Sequence, residues 1–238
     1  MSAIILAAVA GLSANSADLS PSSQALLKAI AGAIDQARAQ DAALPPPKDD
    51  TERILRLGSL DQAPRRVIVA WDFSTIPQAE RPEAIHRASA LIKALDQEDQ
   101  AALLKLVPPE GWFSVSKYGR KAEVAAFSII QHGDTQLQER FLPVLGRMVA
   151  SGDVPGDNYA LMYDRVEVSH NRPQLYGSQF RCDGGKWRPY PIRDPDQLDA
   201  RRNAMGLRGT FADYKAHFDA SPPCPQTPTP PPPGMKLD

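Results

Sequence analysis

Along most of this chain apolar residues recur every three or four positions, the spacing that lines one face of a helix. Leu26, Leu27, Ile30, Ile34 and Ala37 follow Ser20-Pro21, a capping residue with proline at the first helical position, and predict the first helix. Asp50 caps a short segment carrying Ile54, Leu55 and Leu57. Pro64 has no N–H to give a helix interior, so a new helix is expected there, with Asp61 as its cap and Pro64 in its first turn. From Arg81-Pro82 a longer helix carries Ile85, Leu91, Ile92 and Leu95, then Leu103, Leu104 and Leu106, until Pro108 and Pro109 stop it. Gly111 to Gly119 read as loop. Lys121 to His132 form a mainly apolar helix with Gly133 as its C-terminal cap. Thr135 and Gln138 have capping-box spacing, and the helix they start turns Leu137, Phe141, Leu145, Met148 and Val149 inward until Gly152. Pro155 opens one more helix, through Tyr159, Leu161 and Met162 to Asp164 or Arg165.

There the period shifts to two. "RVEVS", "QLYGSQFR" and "KWRPYPI" alternate, and Asp183-Gly184-Gly185 supplies residues tolerant of positive φ for a hairpin turn. Asp194-Pro195 then caps a last helix through Leu198 and Met205 to Gly206. The fold class is mainly α (α+β): a helical domain with a small antiparallel β-hairpin element near the C-terminal end, at about 166–192.

Composition adds the ends of the chain to this picture. Prolines number 23 and cluster in "LPPPKDD" and "SPPCPQTPTPPPPG", which cannot build a core and read as a linker and a tail. The tail is either plain solvated chain or an interaction segment for a protein partner. The apolar run from Ala3 to Leu12 is too short to span a bilayer, so no transmembrane anchor is expected. Small residues at Ala14-Asn15-Ser16 suit signal peptidase, although no Lys or Arg precedes the run. The expected divisions are a signal segment at 1–17, an N-terminal helix and linker at 18–47, one helical domain at 48–218, and a disordered tail at 219–238. Periplasmic or secreted location follows from the signal segment, and a cytoplasmic one from reading it as a mere extension. Export would permit a disulfide between Cys182 and Cys224, whereas in the cytosol both would be free thiols. A net charge of -1 gives no footprint for nucleic acid. Zinc, P-loop, dinucleotide and nucleophile-elbow patterns are absent, so no metal and no cofactor is expected.

Several short stretches taken together resemble one family. They are "LDQAPR" at 60–65, "WFSVSKYG" at 112–119, "IIQHGD" at 129–134, "DRV" at 164–166, "QLYGSQ" at 174–179 and "YPIRDPDQLDARRNAMGL" at 190–207. Their order and spacing are similar to a bacterial family of uncharacterised proteins, domain of unknown function 6624, over roughly 60–214. This sequence departs from the family pattern at Phe113, which replaces a loop proline, at Phe127, where tryptophan is common, and at Pro64, which interrupts the D-Q-x-x-R helix. The resemblance groups the polar stretches but implies no activity.

Within those stretches His132 is the sharpest residue. A helix C-terminus favours the imidazolium, and a nearby carboxylate such as Asp134 would orient the ring for acid–base work. The alternative is that His132 bonds the last helix carbonyls while Asp134 caps the next helix. Asp164 and Arg165 form either a clamp on the hairpin or, through the Arg165 fork, an anchor for carboxylate or phosphate. If "QLYGSQ" is a strand, Gln174, Tyr176 and Ser178 share one face, with Gln179 on the other, and Gly177 marks a bulge or a close approach. The hairpin would then wall a polar cleft between itself and the "QHGD" helix end, with His132, Arg165 and the glutamines in it, or latch the bundle. Candidate catalytic residues are His132, Asp164 and Tyr176. Candidate binding residues are Asp61, Gln62, Arg65, Gln131, Arg165, Gln174 and Gln179, for a small polar ligand. The expected function is metal-independent hydrolysis or transfer, and the alternative is a non-catalytic binding or scaffold domain.

Overall fold

The computed structural model describes residues 19–221 and Cys224; the expected signal segment and nearly all of the proline-rich tail lie outside the described residues. Among the described residues nine α-helices and one two-stranded hairpin follow in order: α1 (Pro21–Ala42), α2 (Asp50–Ala70), α3 (Arg81–Leu104), α4 (Val115–Tyr118), α5 (Arg120–Gln131), α6 (Thr135–Val149), α7 (Gly156–Ser169), β1 (Phe180–Asp183), β2 (Lys186–Pro189), α8 (Leu198–Ala204) and α9 (Phe211–Asp219). The mainly helical class with a hairpin near the C-terminal end is therefore correct. Among the described residues no helix is long and apolar enough to cross a membrane.

Two apolar clusters hold the helices. Leu26, Ile30 and Ile34 of α1 meet Ala84, Ala88, Ile92 and Leu95 of α3. The larger cluster joins Ile54 and Leu103 to Trp112, Phe113, Phe127, Ile130, Phe141, Leu145 and Met162. Each cluster unites residues that recur at helical spacing on different segments, which is how amphipathic helices bury their stripes. The contact between α2 and α5 is close enough to need glycine: a Cβ on Gly58 would fall 2.6 Å from the Cβ of Ala125.

Three local expectations are overturned. First, α2 runs unbroken through Pro64, so Asp61 is an interior helical residue and not a cap. The proline removes one donor, and the Arg65 side chain returns to the Asp61 carbonyl at 2.7 Å, while packing against α1, α3 and α5 holds the helix together. Second, "RVEVS" is helix. Val166, Glu167 and Val168 are all buried, and the alternation came from a buried Glu167 bonded to Arg172 at 2.7 Å and Arg193 at 3.2 Å. Third, "QLYGSQ" is a loop and not a strand, and the hairpin is confined to Phe180–Pro189. Its turn is Gly184-Gly185, both at positive φ, as I′-type geometry requires.

Smaller differences concern the helix ends. Asp134, not Thr135, caps α6 through the amide of Leu137 at 2.8 Å. The segment read as loop at 111–119 holds α4, and α9 was not expected, although Thr210 and Asp213 form a full capping box at its start. A disulfide joins Cys182 to Cys224 and ties the chain beyond α9 to the hairpin.

Candidate functional site

One polar group forms where α2, α3 and α5 meet. Asp61 is fully buried on α2, and its carboxylate is surrounded by donors. Arg65, one turn on, gives Nη1 to Asp61 Oδ1 at 3.0 Å and Nη2 to both oxygens of Asp96 on α3, at 2.8 and 2.9 Å. Gln62 donates to Asp61 Oδ2 at 2.7 Å. His132, the residue that ends α5, places Nδ1 2.9 Å from Asp61 Oδ1. With the carboxylate as acceptor, Nδ1 carries the proton in the neutral ring and Nε2 is left as the base. Nε2 has no hydrogen-bond partner among the described residues, and the His132 side chain keeps 18% of its surface open.

The carboxylate that orients His132 is thus Asp61, 71 positions away, and Asp134 serves only as the cap of α6. Nor does His132 satisfy the last helical carbonyls. Those of Gln131 and Gly133 accept from Gln138, at 2.9 and 3.0 Å, and that of Gln131 also accepts from Arg165 Nη1 at 3.0 Å. This bond anchors the Arg165 guanidinium at the end of α5, on the residue before His132. Arg165 has no carboxylate partner among the described residues, and burial draws its pKa down from the ordinary arginine value.

Negative charge is in excess here. Asp99 lies one turn beyond Asp96 on α3; it is 3% exposed and its Oδ2 has no partner. Burial first, then the charges of Asp61, Asp96 and Glu98, push its pKa up to about 7. Asp96 is also raised by burial, against the pull of Arg65. Asp61, Asp96 and His132 each offer an atom within 4.8 Å of the others, a span that a small cation could bridge. Arg65 already bonds both carboxylates, however, and a cation between them would have to displace its guanidinium.

The remaining sequence candidates form a second, separate network. Asp164, fully buried on α7, accepts from the backbone amides of Leu175 at 2.7 Å, Tyr176 at 3.0 Å and Ser178 at 2.9 Å. Burial still lifts its pKa above the ordinary value, outweighing those amides. Gln174 donates to the carbonyls of Gln179 and Tyr190 and accepts from the Gln179 amide. Arg201 and Arg202 bind the carbonyls of Leu175 and Tyr176, at 2.9 and 2.8 Å. Tyr176 is 7% exposed, meets Tyr163 edge to face, and has its hydroxyl pushed by burial up to about 12. Gly177 sits at φ +69 with the Phe211 ring 2.8 Å from where a Cβ would be, so a ring, and not a ligand, makes the close approach. These bonds fold the loop around Asp164.

The structure accordingly brings together Asp61, Gln62, Arg65, Gln131, His132 and Arg165, and sets Asp164, Gln174, Tyr176 and Gln179 in the loop framework. Asp96 and Asp99 were missed because "LDQEDQ" reads as a solvated helix face; their i, i+3 spacing was the available signal. Glu123 was missed too. It is fully buried between Trp112 Nε1 at 3.2 Å and Asn158 Nδ2 at 2.9 Å, and burial pushes it up to about 7 against both donors.

The model of a family of unknown function, DUF6624, matches residues 48–219. No curated protein and no solved structure matches the chain.

Proposed function

The chain belongs to the DUF6624 family, a name that carries no activity, and from the geometry of its polar group we propose that Asp61 and His132 form an acid–base dyad acting on a small anionic substrate. One observation carries this reading: His132 Nδ1 is held by a buried carboxylate at 2.9 Å while Nε2 is unpartnered and the ring reaches the surface. In such a pair the carboxylate fixes ring and tautomer and stabilises the imidazolium that forms when Nε2 takes a proton. Arg165, whose guanidinium has no counter-ion among the described residues and bonds the same helix end, would hold a carboxylate or phosphate of the substrate. Nε2 would then draw a proton from water or an acceptor hydroxyl as its oxygen bonds to the acyl or phosphoryl centre, and the imidazolium would return that proton to the leaving oxygen as its bond breaks, which is hydrolysis or group transfer without a metal. The Cys182–Cys224 disulfide supports an exported protein, since such bonds persist in oxidising compartments.

The test is a panel of chromogenic carboxylic esters, phosphomonoesters and phosphodiesters, assayed with wild type, Asp61→Asn and His132→Gln. Turnover by the wild type that falls by roughly 100-fold or more in both variants is expected, the size of a general acid–base contribution. Turnover indifferent to His132→Gln counts against the dyad.

A second reading has its own observation. Arg65 bridges Asp61 and Asp96 and so ties α2 to α3, while His132 ties α2 to α5. In a non-catalytic binding or scaffold domain this network would serve only to fix three helices. His132→Gln would then lower stability by several kcal/mol, as loss from a buried network does, and no substrate would turn over.

A further inference from the structure

A second charged surface shares no residue with the dyad. It is a cavity of about 650 Å³ between the hairpin and α9, lined among others by Arg181, Lys186, Trp187, Arg188, Lys215 and Phe218. We propose that this groove binds a small polyanion, with its carboxylate or phosphate groups on Arg181, Lys186 and Lys215 and an apolar face against Trp187.

Among the described residues four cations line the groove against the carboxylate of Asp219. Arg188 is paired with Asp183 at 3.1 Å and Lys215 with Asp219 at 2.6 Å, but Arg181 and Lys186 have no carboxylate partner among the described residues. The register sets Arg181 directly opposite Arg188 on one face of the hairpin. Like charges so placed destabilise a strand pair, and an anion between them would reverse the sign of that contribution. Arg181 is also partly desolvated. Its Nε and Nη1 are buried without an acceptor, and the guanidinium lies over the Tyr190 ring at 5.5 Å, which offsets only part of the loss of water. Nη2 is neither buried nor bonded, and is the donor left to meet a ligand.

The walls are already in place. Phe180 stacks on Phe218 at 3.9 Å and 7°, Trp187 meets the same ring edge to face at 6.1 Å, and the disulfide with the bond from the Cys224 amide to the Gly185 carbonyl fastens the turn. A site that needs no ordering on binding keeps more of its interaction energy as affinity. A whole-chain charge of -1 is a sum over the sequence and does not report a local excess of this kind.

The test is calorimetric titration of the full chain with inorganic tripolyphosphate and, separately, with a galacturonate trimer, which separates phosphate from carboxylate sources. Saturable 1:1 binding of at least one probe is expected, weakened roughly tenfold or more in Arg181→Gln and in Lys186→Gln. The surface control Lys28→Gln and the dyad variant His132→Gln should bind as wild type does. Lys186 is exposed, so its variant remains informative if Arg181→Gln fails to fold. Absence of saturable binding for both probes, or equal affinity in a folded Lys186→Gln, overturns the proposal.

Discussion

Removing the Asp164 carboxylate separates framework from chemistry, since sequence reasoning had made this residue a catalytic candidate. In the fold it accepts from three backbone amides, two of which, those of Tyr176 and Ser178, are buried. A hydrogen bond to a charged group contributes about 1.5–3 kcal/mol, and a buried donor left unsatisfied costs about 1–3 kcal/mol. Three amides that lose their acceptor would together cost about 5–9 kcal/mol before any offset. Two effects reduce it. The carboxylate is itself held at a desolvation cost, seen in its raised pKa, and the Leu175 amide is near enough to the surface to find water. We therefore expect Asp164→Ala to lose about 3 kcal/mol, and Asp164→Asn, which keeps one acceptor oxygen, about half of that.

Urea unfolding followed by far-ultraviolet circular dichroism measures the loss. With a slope of ~2 kcal/mol per molar, the midpoint of Asp164→Ala should fall by about 1.5 M. Arg201 and Arg202 grip the same loop from its carbonyl side, so the variant should still fold, with the loop loosened. A midpoint within ~0.3 M of wild type would refute the reasoning, because the loop would then be held without Asp164.

Three further outcomes follow from the same geometry. Asp99 holds its proton up to about pH 7 in the folded chain but loses it near 3.8 when unfolded, so between those values the native state binds more protons and stability falls as pH rises. Glu123 adds to the decline between 4.5 and about 7; Asp99→Asn, which mimics the protonated acid, should gain on wild type in urea unfolding from about pH 4 to about pH 7 and hold that gain above it, and a constant difference across that window would reject the shift. Gly58→Ala places a methyl 2.6 Å from Ala125, forces α2 from α5, and should cost about 1–3 kcal/mol in thermal unfolding while disturbing the Asp61–His132 contact in imidazole nitrogen NMR spectra. Cys182→Ser should lower stability by about 2–4 kcal/mol relative to the oxidised wild type, the range for closing a loop of this length, and should match the wild type under reducing conditions.

How far the sequence reached depended on the range of the interaction. Capping residues, apolar periods and the Gly184-Gly185 turn are local, and they placed most helices and the hairpin turn within a few residues. Local rules failed where a distant partner overrode them. Pro64 should have ended a helix, yet the packing of α2 on three neighbours keeps it continuous. Glu167 between two valines imitated a strand, because the arginines that neutralise it lie up to 26 positions away.

The candidate site shows the same limit at greater distance. His132 was legible as a histidine at a helix end, and Asp61 and Arg65 as a polar pair, but nothing local could say that they meet across 71 positions. The nearer Asp134 was the natural guess, and helix geometry gave it to the cap of α6 instead. Asp164 and Arg165 make the point within one dipeptide. Adjacent residues on a helix face different ways, so one binds the loop at 175–178 and the other reaches the end of α5. Read as a unit they suggested a single cleft. Resolved in space, Asp164 belongs to the framework that folds the 175–178 loop, and Arg165 alone of the two reaches the carbonyl at the end of α5.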